Sequence, residues 1–266
     1  MSLRLASVNL FSGRSLADGL IDDDRVAAAV AALDADVLAL QEVDVGQPRS
    51  AGTDQAALVA AAAGAVAVRF VPLVAGTPGV PGWTAADADG PAPTGPAYGI
   101  ALASRRPVVS WHVLGLSPAR GRWPIPLPSR PPRLLWIADE PRAVVAAVLA
   151  EPRLVVACTH LSFVPGTNLR QLHRARRWLE ELAARASAPL VLLGDLNLPG
   201  GLPARLTRWS PLVTGPTFPA PSPRAQVDHV LAHGLAPDVV AAAAAAGRVV
   251  PLPFSDHRAV VTDVEP

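Results

Sequence analysis

The sequence predicts an α/β protein in which helices lie outside mixed β-sheets. Short β-like runs alternate irregularly with a few helical segments, and several of these runs follow each other directly along the chain. A simple βαβ winding would alternate regularly, so the irregular order favours mixed sheets. Half of the 266 residues are apolar, which is enough for a sizeable core in one large domain or two small ones.

Three segments have the sequence features of helices. Residues 22–34 begin with acidic side chains, which favour the positive end of a helix dipole. Residues 54–63 are rich in alanine and precede Gly64, a residue type that often ends helices. Residues 168–185 give the clearest signal, because their apolar side chains recur at helical spacing. That stripe contains Leu169, Leu172, Ala175, Leu179 and Leu182.

Apolar and β-branched runs between these helices predict the strands. They are residues 3–8, 36–40, 66–74, 100–104, 108–116, 143–149, 154–159, 190–193, 227–231 and 259–264. The stretches 76–96 and 117–132 are rich in proline and glycine and are interpreted as surface loops, either walls of a site or mobile decoration. The alanine run 241–246 is interpreted as a helical turn or a packed strand.

Charge, cysteine content and hydropathy limit the classes of protein that fit. All 23 basic residues are arginine and the formal net charge is +1, whereas strong nucleic-acid binders usually carry a basic excess. The single cysteine, Cys158, excludes an internal disulfide framework and is interpreted as a buried core residue. No apolar segment is long enough to span a bilayer, and no signal core precedes the first polar residues. We therefore expect a soluble, cytoplasmic protein of unspecified oligomeric state.

Polar residues that can bind a metal or a phosphate oxygen adjoin six of the apolar runs. One of them alone would be unremarkable, since "GDLN" fits an Asx turn. If the last two strands run antiparallel to the first four, all of these residues meet at one edge of the sheets. Asn9, Glu42, His160, Asp195 and Asn197 follow their runs, and Asp228, Asp256 and His257 precede theirs.

A pocket of carboxylates, amides and histidines suits the chemistry of phosphate esters. Oxygen ligands favour a hard cation such as Mg²⁺, whereas zinc would prefer more histidine or cysteine. The sequence has no glycine-rich loop followed by lysine for nucleoside triphosphates and no GxSxG stretch for acyl hydrolysis. A cation, hydrogen-bond donors and a carboxylate that activates water fit hydrolysis of a phosphate ester.

Six short segments together resemble one known family. They read "SVNL", "LALQEVD", "THLS", "GDLN", "QVDHVLA" and "SDHRAV". Their order and spacing are similar to those of the endonuclease/exonuclease/phosphatase superfamily, the deoxyribonuclease-like metal-dependent phosphoesterases. The resemblance implies a four-layer sandwich of two packed mixed β-sheets flanked by helices. It also implies that residues 1–266 form a single domain with the site at one end of the sandwich.

The resemblance implies how metal and phosphate are held. Glu42 is similar to the family's main metal ligand, and Asp256 and Asn9 to the residues that help to hold the cation or the phosphate bound to it. The implied ion is Mg²⁺, with Mn²⁺ as an alternative. His160 is similar to a histidine that donates to a phosphate oxygen, and Arg142 in "DEPRAVVAAVL" to an arginine that approaches the phosphate.

The remaining matches concern the attacking water and the histidine that faces the phosphate. Asp195 is similar to the residue that orients or deprotonates the water, with Asn197 beside it at the substrate. His257 resembles the histidine that faces the scissile phosphate, and Asp228 resembles the carboxylate that fixes the tautomer and charge of that histidine.

Other positions depart from the family or have two interpretations. Ile100 stands near a position where the family commonly has asparagine. Tyr98 is either the family's active-site tyrosine or a packed aromatic residue. His229 is expected to be structural. Gln47 and Arg49 are expected in a solvated loop, with a position near the site as the alternative.

The sequence therefore predicts a Mg²⁺-dependent hydrolase of phosphate esters, most of all a phosphodiesterase of nuclease type. One alternative is a lipid or inositol phosphodiesterase or phosphatase, with Trp83 and Trp111 as membrane contacts. The other is an inactive member that binds a partner or ligand. A nucleic-acid patch, or else an ordinary exposed loop, would be formed by Arg120, Arg122, Trp123, Arg130, Arg133 and Trp136.

Overall fold

The computed structural model describes residues 2–91, 93–127 and 133–266. Its strands are β1 (Leu3–Asn9), β2 (Val37–Val45), β3 (Ala67–Ala75), β4 (Thr84–Ala85), β5 (Ala97–Ser104), β6 (Val108–Leu116), β7 (Arg122–Leu127), β8 (Arg133–Ala138), β9 (Arg142–Leu149), β10 (Leu154–His160), β11 (Leu190–Asp195), β12 (Ser210–Pro211), β13 (Asp228–His233), β14 (Arg248–Val250) and β15 (Ala259–Val264). Its helices are α1 (Asp23–Leu33), α2 (Gln55–Ala62), α3 (Thr167–Ala186), α4 (Leu202–Thr207) and α5 (Pro237–Ala246), with short 3₁₀ turns at Phe11–Gly13 and Pro48–Ser50.

Two mixed β-sheets form the centre of the fold. One has seven strands in the order β14-β15-β1-β2-β5-β3-β4, and the other has six in the order β12-β13-β11-β10-β9-β6. Leu5 of the first sheet and Val156 and Val191 of the second belong to one buried cluster between the sheets. The outer faces are covered by helices, α1 and α2 on the first sheet and α3 and α4 on the second. The predicted four-layer sandwich is confirmed.

The directions of the strands determine where the polar residues next to the apolar runs meet. β1 is parallel to β2 and antiparallel to β15. β10 is parallel to β11, which is antiparallel to β13. The polarity predicted from the order of apolar and polar residues is therefore correct, and both groups of run ends reach the same edge of the sandwich.

The predicted helices agree with the structure to within one residue at each end. Asp22 caps α1 by accepting from the N–H of Arg25 at 3.0 Å, and Asp54 caps α2 by accepting from the N–H of Ala57 at 2.9 Å. The alanine run 241–246 lies in α5 and is helical. Within the described ranges, no helix is long and apolar enough to cross a bilayer.

Two expectations about local structure are wrong. Leu169 is 41% exposed instead of belonging to the buried stripe of α3, because the first turn of this helix buries polar side chains that bind the neighbouring loops. The two stretches expected to be loops are not all loop, since β7 begins at Arg122 and pairs with β8 in a hairpin, and β4 in the stretch 76–96 pairs with β3. Prolines fit this hairpin because each strand of a two-stranded ribbon has positions without ladder hydrogen bonds.

Candidate active site

Polar side chains from both sheets meet at one edge of the sandwich. In the second sheet, His160, Asp195 and Asp228 lie side by side in register across β10, β11 and β13. In the first sheet, Asn9 ends β1, and Glu42 lies on β2 one position beyond the partner of Asn9. The structure thus brings together residues that are separated by more than half of the chain.

The amide of Asn9 connects the two sheets. Its Nδ2 donates to Oε1 of Glu42 at 3.2 Å and lies 3.4 Å from Oδ2 of Asp195. Its Oδ1 accepts from the backbone N–H of Phe11 at 3.0 Å, which fixes the orientation of the amide. Glu42 and Asp195 therefore both contact one oriented amide nitrogen.

The backbone adopts a left-handed conformation at two of the predicted site residues. Glu42 has a φ of 55° and lies where the pairing of β2 with β5 shifts, at a β-bulge. Asn197 has a φ of 49°. This conformation costs a residue other than glycine roughly 1–3 kcal/mol, and asparagine tolerates it better than glutamate. The bulge redirects the side chain of Glu42 out of the regular alternation of the strand.

Gly194 lets β10 and β11 approach each other directly before Asp195. Its φ is 148°, and a Cβ at this position would lie 1.9 Å from the carbonyl oxygen of Thr159. The glycine of "GDLN" is therefore required by packing. The close approach places Asp195 opposite His160 in the sheet.

His257 is held by Asp228 and faces Asp195. Its Nδ1 lies 2.9 Å from Oδ2 of Asp228, and its Nε2 lies 3.7 Å from Oδ2 of Asp195. Burial lowers the pKa of His257, but the negative charges of Asp228 and Asp195 and the hydrogen bond to Asp228 outweigh burial and raise the pKa to about 10. The ring is therefore protonated at neutral pH and donates from Nδ1 to Asp228.

His160, in contrast to His257, is neutral. Burial, and then the positive charge of Arg142, hold the pKa of His160 well below its usual value. Its Nε2 lies 3.6 Å from Oδ2 of Asp195 and 3.3 Å from Nδ2 of Asn197. The site therefore contains one cationic and one neutral imidazole, both next to Asp195.

Arg142 is a buried cation with unused hydrogen-bond donors. Its Nη2 lies 3.8 Å from Oδ1 of Asp139 and 3.8 Å from Oε2 of Glu140. Its Nε and Nη1 are buried and have no hydrogen-bond partner in the part of the chain that the structure describes. Buried donors without partners cost free energy, and a bound anion would satisfy both.

Two groups of residues could hold a divalent cation. Asp195, Asp228 and His257 each offer a ligand atom, and these atoms lie within 4.8 Å of one another. However, His257 and Asp228 already bind each other. The second group consists of Glu42 and Asp256. Burial, and then the charge of Asp256, raise the pKa of Glu42 to about 7. Among described residues, Oδ1 of Asp256 is buried without a hydrogen-bond partner. A cation between these two carboxylates would relieve both costs, which favours the second group.

Sequence reasoning missed two residues that hold the site in place. Oγ of Ser255 donates to the carbonyl of Asn9 at 2.7 Å and accepts from the N–H of His257 at 3.0 Å. Nδ2 of Asn168 donates to the carbonyl of Asn197 at 2.9 Å. Ser255 stands directly before the "DH" pair and could have been suspected, whereas Asn168 looks like any polar residue at the start of a helix.

Gln47 and Arg49 do not lie in a solvated loop, and Arg49 lines the same pocket as Glu42, as the alternative had it. Nε2 of Gln47 donates to the carbonyls of Gly76 and Ala97 at 2.7 and 3.1 Å. The guanidinium of Arg49 makes two hydrogen bonds, of 2.8 and 2.6 Å, to the fully buried Asp44. The segment folds back onto the sheet because a buried carboxylate at Asp44 requires a cation beside it.

Burial explains the roles of three further residues. Tyr98 is buried, and burial followed by the charge of Glu42 holds the pKa of its phenol well above the usual value. Ile100 is fully buried in the cluster between the sheets, so an apolar residue suits this position. His229 is buried with Nε2 2.9 Å from the carbonyl of Leu198, in agreement with the structural role expected for it.

The model of the endonuclease/exonuclease/phosphatase family matches residues 6–257, which include every strand-end residue described above. The chain belongs to this family. Members of the family hydrolyse phosphate esters. Among curated proteins, no match to this member was found.

Solved structures of this family share the fold at low sequence identity. An endonuclease/exonuclease/phosphatase from Beutenbergia cavernae DSM 12333 is 24% identical with a TM-score of 0.63, covering 99% of this chain and 71% of that one. A mannosyl-6-phosphatase from Bacteroides thetaiotaomicron is 15% identical with a TM-score of 0.61 and 98% coverage of both chains. Sphingomyelinase C from Streptomyces griseocarneus is 18% identical with a TM-score of 0.61 and 100% coverage of both.

In this family member, an open pocket of about 730 Å³ adjoins Glu42. Both proline- and glycine-rich stretches contribute to it, which supports their interpretation as walls of a site. Arg120 lines a different pocket beside α3, and Arg130 lies outside the described residues. The pocket beside Glu42 is lined by Phe11, Ser12, Arg14, Glu42, Arg49, residues 78–83, Tyr98, Arg122, residues 135–138 and Glu140.

Proposed function

We propose that this protein is a divalent-metal-dependent phosphoesterase, that it acts on phosphodiesters of the nuclease type, and that residues 1–266 form its single catalytic domain. One observation carries the proposal. The amide of Asn9 contacts Glu42 and Asp195 at once, while Asp195 also lies beside His257 and His160. The residues proposed as metal ligand, as base and as phosphate-binding imidazoles are thus close neighbours, which supports the assignment of one phosphate site to them.

The donor set fits Mg²⁺, with Mn²⁺ as an alternative. Glu42 and Asp256 would hold the cation, with Asn9 beside it. The two carboxylates offer oxygen, the ligand that hard cations prefer, and Nδ2 of Asn9 would hold the carboxylate of Glu42 in place. A bound cation would withdraw charge from the non-bridging oxygens of the phosphate.

Arg142 and the two histidines would bind the phosphate. Nε and Nη1 of Arg142 would donate to its oxygens, and His160 and Asn197 would contact it beside Asp195. The protonated Nε2 of His257 would donate to the oxygen on which charge develops, while Asp228 keeps the ring oriented. Charge-assisted hydrogen bonds of this kind are strong, so they compensate for the repulsion between an anionic ester and its nucleophile.

Asp195 would accept the proton of the attacking water. Its backbone is fixed by the contact at Gly194, and its Oδ1 accepts from the N–H of Asn197 at 2.9 Å. Burial raises the pKa of Asp195, which makes the carboxylate a better proton acceptor at neutral pH. His257 already carries a proton and therefore acts as the donor of the pair.

A second candidate is hydrolysis of lipid phosphodiesters. It is supported by three consecutive exposed apolar residues on β8, Leu134, Leu135 and Trp136, which are 59, 47 and 52% exposed. The tryptophans expected at a membrane offer less support. Trp111 packs half-buried against the core, and Trp83 is half-buried in the wall of the pocket. The remaining alternative is a family member that binds a ligand without hydrolysing it.

The decisive experiment measures hydrolysis of bis(p-nitrophenyl) phosphate with Mg²⁺ or Mn²⁺ and then with EDTA. We expect turnover that stops with EDTA and returns when the metal is restored. A panel of plasmid DNA, RNA, sphingomyelin vesicles and inositol phosphates then ranks the natural classes of ester. Absence of turnover on every ester with either metal would contradict the proposal and favour the binding alternative.

A further inference from the structure

We infer that the pocket beside Glu42 binds the organic part of the substrate next to the scissile phosphate, and that this part carries a planar ring and a second anionic group, as a nucleotide does. The inference rests on the proposed function, because it assigns the substrate class of the same site. The pocket volume of about 730 Å³ lies within the range of roughly 300–1,000 Å³ that is common for small-ligand sites.

Two cations in the pocket wall have only backbone partners among the described residues. Nη1 of Arg14 donates to the carbonyl of Gly19 at 2.8 Å. Nε and Nη2 of Arg122 donate to the carbonyl of Trp136 at 3.1 and 2.6 Å. A carbonyl fixes a guanidinium without neutralising it, and each guanidinium has five N–H donors. Both residues therefore offer positive charge and donors to a ligand.

The other charged groups of the pocket do not cancel these two cations. Arg49 is paired with Asp44 at 2.6 Å. Glu140 lies 3.8 Å from the buried Arg142, and Glu42 is assigned to the metal. Among the described residues of the wall, Arg14 and Arg122 are therefore the charged side chains bound by backbone carbonyls alone.

Aromatic side chains supply surfaces for a planar ring. Trp83 comes from the stretch 76–96 and Trp136 from β8, and both line the same pocket. Trp136 is 52% exposed, so its indole is available to a ligand. Proteins commonly bind unstacked bases by stacking them on such rings, and guanidinium groups add to this interaction.

The combination of charge and aromatic surface separates the substrate classes. A zwitterionic lipid with a cationic head group would place like charges near Arg14 and Arg122. Inositol phosphates would satisfy the cations but leave the indoles without a planar partner. A nucleotide uses both features, so it fits the pocket better than either.

The test compares two esters with the same leaving group. These are the p-nitrophenyl ester of thymidine 5′-phosphate and the same ester with an additional 3′-phosphate. We expect the wild type to prefer the 3′-phosphorylated ester in kcat/KM. Arg14→Ala combined with Arg122→Ala should lower that preference about 10-fold, because charge-assisted hydrogen bonds to the second phosphate are lost.

Arg176→Ala is the matched control, because Arg176 pairs with Glu180 on α3 at 2.8 Å and does not line the pocket. It should keep the wild-type preference. Equal preference in the wild type and the double variant would overturn the inference. If the double variant does not fold, the exposed Arg122→Ala alone replaces it, with an expected loss of about threefold.

A binding measurement separates the pocket from the reaction. Thymidine 3′,5′-bisphosphate is titrated into the metal-free protein in a calorimeter, and the double variant should bind it about 10-fold more weakly than the wild type. If the wild type cleaves no ester but shows this difference in binding, the proposed function fails and the pocket assignment stands. If esters are cleaved but both proteins bind the bisphosphate equally, the pocket assignment fails alone.

Discussion

Nδ1 of His257 lies 2.9 Å from Oδ2 of Asp228, although the two residues adjoin strands of different sheets. β13 carries Asp228 in the second sheet, and His257 lies just before β15 in the first. The contact orients the imidazole, keeps Nε2 toward Asp195 and supports a positive charge on the ring. The proposed chemistry depends on this pair, because an unoriented histidine could not donate to a bound phosphate.

Asp228→Asn should lower kcat for bis(p-nitrophenyl) phosphate by about 10²–10⁴-fold. The amide keeps the shape of the side chain but removes the charge that supports the imidazolium. Asp263→Asn is the matched control, because Asp263 on β15 pairs with Arg4 on β1 at 2.8 Å. We expect the control to keep wild-type kcat. Near-full activity in Asp228→Asn would contradict the role of the pair.

Arg142→Gln should weaken inhibition by inorganic phosphate about 10-fold, because the buried donors Nε and Nη1 are lost. The inhibition constant of phosphate is measured with bis(p-nitrophenyl) phosphate as the substrate. Thermal unfolding is followed to verify that the variant folds. Arg177→Gln, on the exposed face of α3, serves as the control. Unchanged phosphate inhibition in a folded Arg142→Gln protein would remove Arg142 from the phosphate site.

Gly194→Ala should destabilise the protein by about 3 kcal/mol or more, because overpacking at this position forces β10 and β11 apart. The new Cβ would lie 1.9 Å from a backbone oxygen, whereas a Cβ at Gly115 in β6 would meet nothing within 4 Å. Gly115→Ala is therefore the matched control and should unfold at the same denaturant concentration as the wild type. Similar stability of the two variants would show that the strands do not approach as closely as described.

Cys158 should not react with a thiol reagent at pH 8 in the folded protein. Burial raises the pKa of its thiol to about 12, so the thiolate fraction at pH 8 is on the order of 10⁻⁴. Its Sγ also lies 3.3 Å from Nε2 of Gln41 in the interior. Reaction in denaturant should be complete, and rapid reaction without denaturant would place Cys158 outside the core.

The meeting of Asn9, Asp195 and Asp228 was predictable because each of them terminates or begins a strand, and strand polarity brings such residues to the same edge. Three other features were not predictable. The left-handed backbone of Glu42 depends on a β-bulge, which leaves no pattern in "LALQEVD". The burial of Gln47 depends on a segment more than twenty residues away. Arg14 carries no sequence signal, because its importance arises only from a pocket wall formed by β8 and the stretch 76–96.

The central claim is that residues from both halves of the chain surround one divalent cation. It is tested most directly by titrating Mg²⁺ into the wild type and into Glu42→Gln while ester hydrolysis is measured. We expect the metal concentration for half-maximal activity to rise by about 10-fold or more in Glu42→Gln, since the main anionic ligand is lost. Superimposable metal titrations for the two proteins, or undiminished hydrolysis in EDTA, would contradict the claim.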